Sequence, residues 1–247
     1  MADVHDRIRE FWDRDSNTYD DSTSHSISDP LEAAAWRAAL RRALPDPGAK
    51  VLDVGAGTGA LSFLAAELGY VVTALDLSEG MLSKARAKAE ENGVELTFVI
   101  GTAAEPPPGP FDAIMERHVV WTMPDPVAVL RAWRDVMAPR GRLVLFEGVW
   151  GADTLVQQAK DRAAEVLRGV LGVQDHHHAP YPEDVLAQLP LARMTSPVPL
   201  IDMVRLAGWR GVHIQRLRDV EWASMQHERW PLSWLEHRLR YALIADA

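Results

Sequence analysis

Ten residues, Lys50-Val51-Leu52-Asp53-Val54-Gly55-Ala56-Gly57-Thr58-Gly59, constrain this chain more than any other stretch. An apolar run that ends in an acid and three alternating glycines reads as a β-strand entering a tight turn. The helix beyond it starts near Thr58 and carries Leu61, Leu64, Ala65 and Leu68 on one face. Glycine admits positive φ and lets a ligand approach main chain with no Cβ in the way. The helix start offers free N–H groups and a partial positive charge, which suits a carboxylate. Asp53 is costly to bury unless something pairs with it. A cationic ligand group over the strand tip is one partner, and the backbone amides of the turn are the other.

Tyr70-Val71-Val72-Thr73-Ala74-Leu75-Asp76 is a second apolar run ending in an acid. An acid about 20 residues past a glycine turn, at the tip of the next parallel strand, is placed to grip a ribose hydroxyl pair. Its alternative role is to cap the helix starting at Ser78. Together these features describe a nucleoside that carries a positive amino group. Gly55, Gly57 and Ala60 also satisfy the looser dinucleotide fingerprint. An NAD(P)-dependent oxidoreductase and a non-catalytic nucleoside-binding protein are therefore the alternatives. Asp53 argues against the first, because it would repel a pyrophosphate.

The stretch V-L-D-V-G-A-G-T-G, followed by A-L-D-L-S at Ala74–Ser78, resembles motifs I and II of the class I S-adenosylmethionine-dependent methyltransferases. The resemblance continues through Phe111-Asp112-Ala113-Ile114-Met115-Glu116-Arg117-His118 and through Pro139-Arg140-Gly141-Arg142-Leu143-Val144-Leu145. It is close from about Lys50 to Val149 and is only one of general layout beyond Gly151. It implies S-adenosyl-L-methionine as cofactor, with Asp53 near the methionine ammonium and Asp76 on the ribose. Gly55, Ala56, Gly57 and Gly59 would form the turn beneath it, and Leu77, Met81, Thr102 and Ala103 would lie along the adenosine. The family often has an acid where this chain has Thr102, so Thr102, a backbone carbonyl or Glu105 would hold the adenine amino group. Core packing is the other reading of Met81. Tyr19, with Asp20, matches an aromatic–acid pair that covers the methionine end in many small-molecule members. Arg117 lines the cofactor or pairs with Glu116. His118, after the fourth strand, is the candidate for orienting the acceptor or removing its proton; a capping or backbone-bonded histidine is the plain alternative.

Along the chain, Val4–Trp12 reads as an amphipathic helix with Val4, Ile8, Phe11 and Trp12 on one side. Leu31–Leu44 reads as a second, with Leu31, Ala34, Ala35, Ala38 and Ala39 as its apolar face. Strands near Val51, Val71, Leu96, Ala113 and Leu143 alternate with helices, which implies a parallel sheet with helices on both faces. Ala152–Arg168 and Leu200–Ala207 read as helices, Gly169–Pro199 has no regular period, and Val212–Gln215 and Arg240–Ala245 read as closing strands. The expected fold is α/β, a Rossmann-like doubly wound seven-stranded sheet, mostly parallel, with a C-terminal antiparallel hairpin. Residues 1–48 are expected to form a helical lid. Residues 49–247 would be the methyltransferase domain, with an acceptor-covering insertion at about 152–208.

Composition narrows the partners. The net charge of −9 is poorly matched to a phosphate backbone. Nor does an Asn-Pro-Pro-Tyr or Asp-Pro-Pro-Tyr motif follow Phe111. A small-molecule acceptor is expected, not nucleic acid, and the layout resembles the family's secondary-metabolite enzymes, with methyl transfer to an N or O atom. With no cysteine, no apolar N-terminal segment and no membrane-spanning run, a cytoplasmic monomer or homodimer is expected. No metal is expected, because consecutive residues such as His176, His177 and His178 point apart and cannot all face one ion. That tract reads as a solvated loop, an acceptor-pocket wall or, least of all, a metal site. Most of the nine tryptophans read as core, with Trp121 and Trp150 as candidates to wall an acceptor pocket.

Overall fold

The computed structural model describes residues 4–16, 19–21, 27–149, 155–171, 181–226, 230–235 and 237–247. His176, His177, His178, Trp150 and the side chain of Val4 lie outside what is described. In chain order the helices are α1 (Val4–Asp15), α2 (Pro30–Ala43), α3 (Ala60–Glu67), α4 (Glu79–Asn92), α5 (Pro126–Asp135), α6 (Leu155–Leu171), α7 (Glu183–Leu186), α8 (Val198–Leu206), α9 (Arg218–Met225) and α10 (Leu232–Leu235). The strands are β1 (Lys50–Val54), β2 (Val71–Asp76), β3 (Thr97–Ile100), β4 (Phe111–Arg117), β5 (Met137–Gly148), β6 (Arg210–Arg216) and β7 (Arg240–Asp246).

The strands form one sheet in the order β3-β2-β1-β4-β5-β7-β6. β1 to β5 pair in parallel, and β7 is antiparallel to both β5 and β6. The expected doubly wound sheet is therefore present. The closing pair is not a tight hairpin, because α9 and α10 intervene between β6 and β7. Strand order reverses at β1, so β1 and β4 diverge there and open a crevice at their carboxyl ends.

Two cores flank the sheet. One gathers Trp36, Leu40, Val51, Leu64, Met115 and Phe146. The other gathers Leu52, Ile114, Leu130, Trp133, Leu145 and Leu243. α3 buries the side expected, with Leu61, Leu64 and Ala65 inward, although it begins at Ala60 and not Thr58. The buried side of α2 overlaps the expected one at Ala35 and Ala39 and is otherwise rotated from it. Leu31 and Ala34 are exposed, whereas Trp36, Ala39, Leu40 and Ala43 are buried. Six alanines spread round the helix carry little directional signal, and the large Trp36 decides which side turns inward. Asp29 caps α2 by accepting from Leu31 N and Glu32 N. α2 belongs to the core, and among the described residues before β1 the elements outside that core cluster are α1 and the 3₁₀ turn Tyr19–Asp21.

Candidate active site

The turn after β1 makes the floor of a cleft. Gly55, Gly57 and Gly59 all have positive φ, at 65°, 57° and 87°. Their reasons differ. A Cβ on Gly55 would stand 2.2 Å from Val119 Cγ2, so close packing alone excludes a side chain there. A Cβ on Gly57 would meet nothing nearer than the Tyr19 ring, at 3.8 Å, so a methyl would fit there in ordinary contact. The cleft is lined by Tyr19, Asp53, Gly55, Ala56, Thr58, Ala60, Leu61 and Arg117.

Asp76 closes the turn from the side. Its Oδ2 accepts from Gly57 N at 2.8 Å and its Oδ1 from Ser78 N at 2.8 Å. It does not cap α4; Ser78 does, accepting from Met81 N through its hydroxyl. Each Asp76 oxygen keeps a second lone pair, so the carboxylate can still accept from a vicinal diol. Burial pushes its carboxyl up to about 6 against the opposing backbone donors. Asp53 is also buried, and burial pushes it to about 7 although Ser62 Oγ donates to its Oδ2 at 2.5 Å and Arg117 lies near. A buried acid held this close to neutrality gains most from a cation.

The 3₁₀ turn is clamped over this floor. Asp20 accepts from Thr58 Oγ1 at 2.7 Å and forms an ion pair with Lys88 at 2.7 Å. The clamp sets the Tyr19 ring above Gly57 and against Trp12. α1 is fastened in turn by Asp13, whose carboxylate accepts from Ser78 Oγ at 2.5 Å. Phe11, Trp12, Trp121 and Tyr181 form a neighbouring aromatic group with Ile8, Val185 and Leu77.

The structure thus brings Tyr19, Asp53, Gly55, Ala56, Gly57, Asp76 and Arg117 to one place. Gly59 stands at the start of α3, where a Cβ would press on Phe63. Arg117 lines the cleft with its guanidinium over the Trp36 ring, and Glu116 turns away to accept from Val119 N and Val120 N. Thr102 and Ala103 follow β3, whose next residue Gly101 bonds to the Asp76 carbonyl. Ala103 is buried and its carbonyl accepts from Trp133 Nε1, while Glu105 is exposed. Met81 is buried in the manner of a core residue, and Leu77 packs with the aromatic group under α1.

His118 stands apart from the cleft-lining set, just beyond the tip of β4. Its φ of 63° is unusual for a residue with a side chain. Its Nδ1 lies 3.2 Å from Glu147 Oε2, at the end of β5. Glu147 was not among the candidates read from sequence. The signal was present, since Leu143-Val144-Leu145-Phe146-Glu147 is an apolar strand ending in an acid, as at Asp53 and Asp76. Among the described residues no group of three or more His, Asp or Glu is arranged to hold a metal. No helix among them is long and apolar enough to cross a membrane.

A family profile described as "Methyltransferase domain" matches residues 52–145, the stretch that builds the cleft. A ubiquinone biosynthesis O-methyltransferase of Xanthomonas campestris pv. campestris is 38% identical over 118 residues, covering 47% of each chain. One from Pseudomonas aeruginosa is 36% identical over 141 residues, covering 55% of this chain and 56% of the relative. The chain thus spans about half the length of the curated relatives it matches. Phosphoethanolamine N-methyltransferase 2 of Haemonchus contortus, solved with S-adenosyl-L-methionine, shares the fold over 100% of this chain and 60% of its own, with TM-score 0.67 and 14% identity. The cyclase SpnF shares it over 99% of this chain and 97% of its own, with TM-score 0.67 and 16% identity. The glycine turn, its two acids, the strand order and these likenesses agree: residues 52–145 form a methyltransferase domain, of the class I S-adenosylmethionine-dependent type.

Proposed function

We propose that this protein binds S-adenosyl-L-methionine in the cleft and transfers its methyl group to an O or N atom of a small molecule. One observation carries the reading: two buried acids, Asp53 and Asp76, flank the glycine turn at the floor of a cleft that Tyr19 also lines. The residues present fit that ligand. Asp76 would take the ribose diol, Asp53 the ammonium, and the backbone N–H groups at the start of α3 the carboxylate. Tyr19 would cover the methionine end, and Leu77, Met81, Thr102 and Ala103 would border the adenosine. Bound there, the sulfonium supplies an electrophilic methyl with its own leaving group. The chain's residues then need only orient the acceptor and exclude water.

The cover for the acceptor would come from α1, the 3₁₀ turn and the segment from Tyr181, with the aromatic group as its apolar lining. The chain's acidity favours a small molecule over nucleic acid. Relatives named for O-methylation in ubiquinone biosynthesis favour an oxygen acceptor and do not favour secondary metabolism over it. The likeness to SpnF, a cyclase by its title, keeps a second reading in view, because fold alone does not fix the reaction.

Thermal-shift and calorimetric titration with S-adenosylhomocysteine and with NAD test the binding. The first ligand should raise Tm and release heat, and the second should do neither. NAD binding without S-adenosylhomocysteine binding would refute the reading. Transfer of labelled methyl to any acceptor in a panel of phenols, amines and sugars separates methyl transfer from cofactor binding without turnover.

A further inference from the structure

We propose that Glu147 is a positioning residue that holds His118 as proton acceptor for a hydroxyl, so that the acceptor atom is oxygen. The proposal rests on the methyl-transfer reading and adds the identity of the reacting group.

The strand register creates the pair. β4 and β5 run parallel with Arg117 opposite Phe146, so the next residues, His118 and Glu147, are neighbours at the strand tips. His118 N donates to Phe146 O at 3.2 Å, which continues the ladder by one residue. Glu116 then turns the chain. Its Oε2 accepts from Val119 N at 2.6 Å and Val120 N at 3.2 Å, capping the 3₁₀ turn that follows. The left-handed backbone of His118 lies just before this turn, between the end of β4 and Val119. The imidazole is thereby set at the strand tips, one residue past the cleft-lining Arg117, with 27% of its side chain exposed and Nδ1 on the wholly buried Glu147.

The surroundings of Glu147 argue against a purely structural acid. A buried structural carboxylate has its oxygens satisfied, usually by arginine or backbone donors. Here Oε1 of Glu147 and Oε1 of Glu116 are buried without a hydrogen-bond partner, as is the hydroxyl of Tyr241, which faces Glu147 in register on β7. Three orphaned polar atoms around one carboxylate are a costly arrangement for stability alone. Burial pushes both carboxyls upward, helped at Glu116, to about 8, by the charge of Asp53 and at Glu147 by that of Glu116, and burial with these two glutamates pushes the Tyr241 phenol up. His118 works as a base in the fraction of molecules where Glu147 is ionised and Nδ1 carries the hydrogen.

The step balances. As the acceptor oxygen forms its bond to the methyl carbon, the carbon–sulfur bond breaks and its electron pair stays on sulfur, leaving a neutral thioether. The hydroxyl proton moves to His118 Nε2, and the imidazolium is stabilised by Glu147. A neutral amine attacks through a lone pair it already has and needs no such base before bond formation, whereas a hydroxyl is a poor nucleophile until its proton is being removed.

Two measurements test this. The first is NMR titration of the His118 imidazole in the full chain loaded with S-adenosylhomocysteine, for wild type, Glu147→Gln and Glu147→Asp. Removing the carboxylate should lower the His118 pKa by about 1 unit or more, and the aspartate variant should restore part of it. A change below about 0.3 unit overturns the proposal. The second is labelled-methyl transfer to para-substituted phenols and to the matching anilines. Glu147→Gln and His118→Ala should slow transfer to phenols by roughly 10²-fold or more, steepest below pH 8, without changing KM for the methyl donor. Equal losses with phenols and anilines, or transfer to anilines alone, overturn it. The titration needs no acceptor and decides the matter if neither series is methylated. Failure of wild type to bind S-adenosylhomocysteine would instead refute the methyl-transfer reading.

Discussion

Replacing Asp53 by asparagine should leave the cleft nearly the same shape and change how cofactor affinity depends on pH. In the ligand-free protein burial holds the Asp53 carboxyl at about 7. Between pH 5.5 and 7.5 its ionised fraction rises from about 3% to about 75%, roughly 25-fold, or about 1.9 kcal/mol at 1.36 kcal/mol per tenfold. The ligand's ammonium stays cationic over that range, so it binds the ionised form. Asp76, held at about 6, adds only about fourfold over the same interval. Affinity of wild type for S-adenosylhomocysteine should therefore rise about 100-fold from pH 5.5 to 7.5, and that of Asp53→Asn only about fourfold. Near pH 7.5 the variant should bind about 10- to 100-fold more weakly, in keeping with a lost charge-assisted hydrogen bond. Fold stability should move the other way. A carboxyl whose folded pKa is raised adds stability at low pH that is lost as pH rises through about 7. The asparagine variant escapes that loss, so its Tm at pH 8 should be no lower than that of wild type. Calorimetry across pH for both proteins checks this. If the two curves run parallel, Asp53 does not meet the ammonium and the reasoning fails.

Other perturbations separate the parts of the site. Asp76→Asn turns one acceptor into a donor facing Gly57 N or Ser78 N; it should cost about 1–3 kcal/mol in urea unfolding and weaken S-adenosylhomocysteine at least tenfold by calorimetry. Gly57→Ala meets no atom within 3.8 Å but keeps φ near 57°, so about 1–2 kcal/mol of strain should appear in the unfolding midpoint while the chain still folds. Its methyl enters the space under Tyr19, and unchanged cofactor affinity would mean that the ligand lies elsewhere. Trp36→Ala empties a fully buried site against Phe146 and removes the ring beneath Arg117; denaturant melts should show a loss of about 3–5 kcal/mol.

The alternation of apolar runs with helices, the acid at the end of β1, the bare turn and the acid at the end of β2 were all legible in the sequence. Each depends on a few contiguous residues whose backbone needs are strong: glycine where φ is positive, β-branched residues in buried strands, an acid at a strand tip. The inward side of α2 was not legible, because alanine fits a buried or an exposed position and leaves the choice to how Trp36 meets Phe146. The clamp of Asp20 on Thr58 and Lys88 spans tens of residues, and Glu147 reaches His118 only because β5 lies beside β4 with Phe146 opposite Arg117. The place of β7 between β5 and β6, which sets Tyr241 against Glu147, is likewise a matter of strand order. Local conformational preference was enough to read the β1–β5 alternation and the bare turn between two acids from contiguous residues. Which acids stand beside which donors came from strand register and packing, because these match groups far apart in the chain and no single segment is sensitive to them.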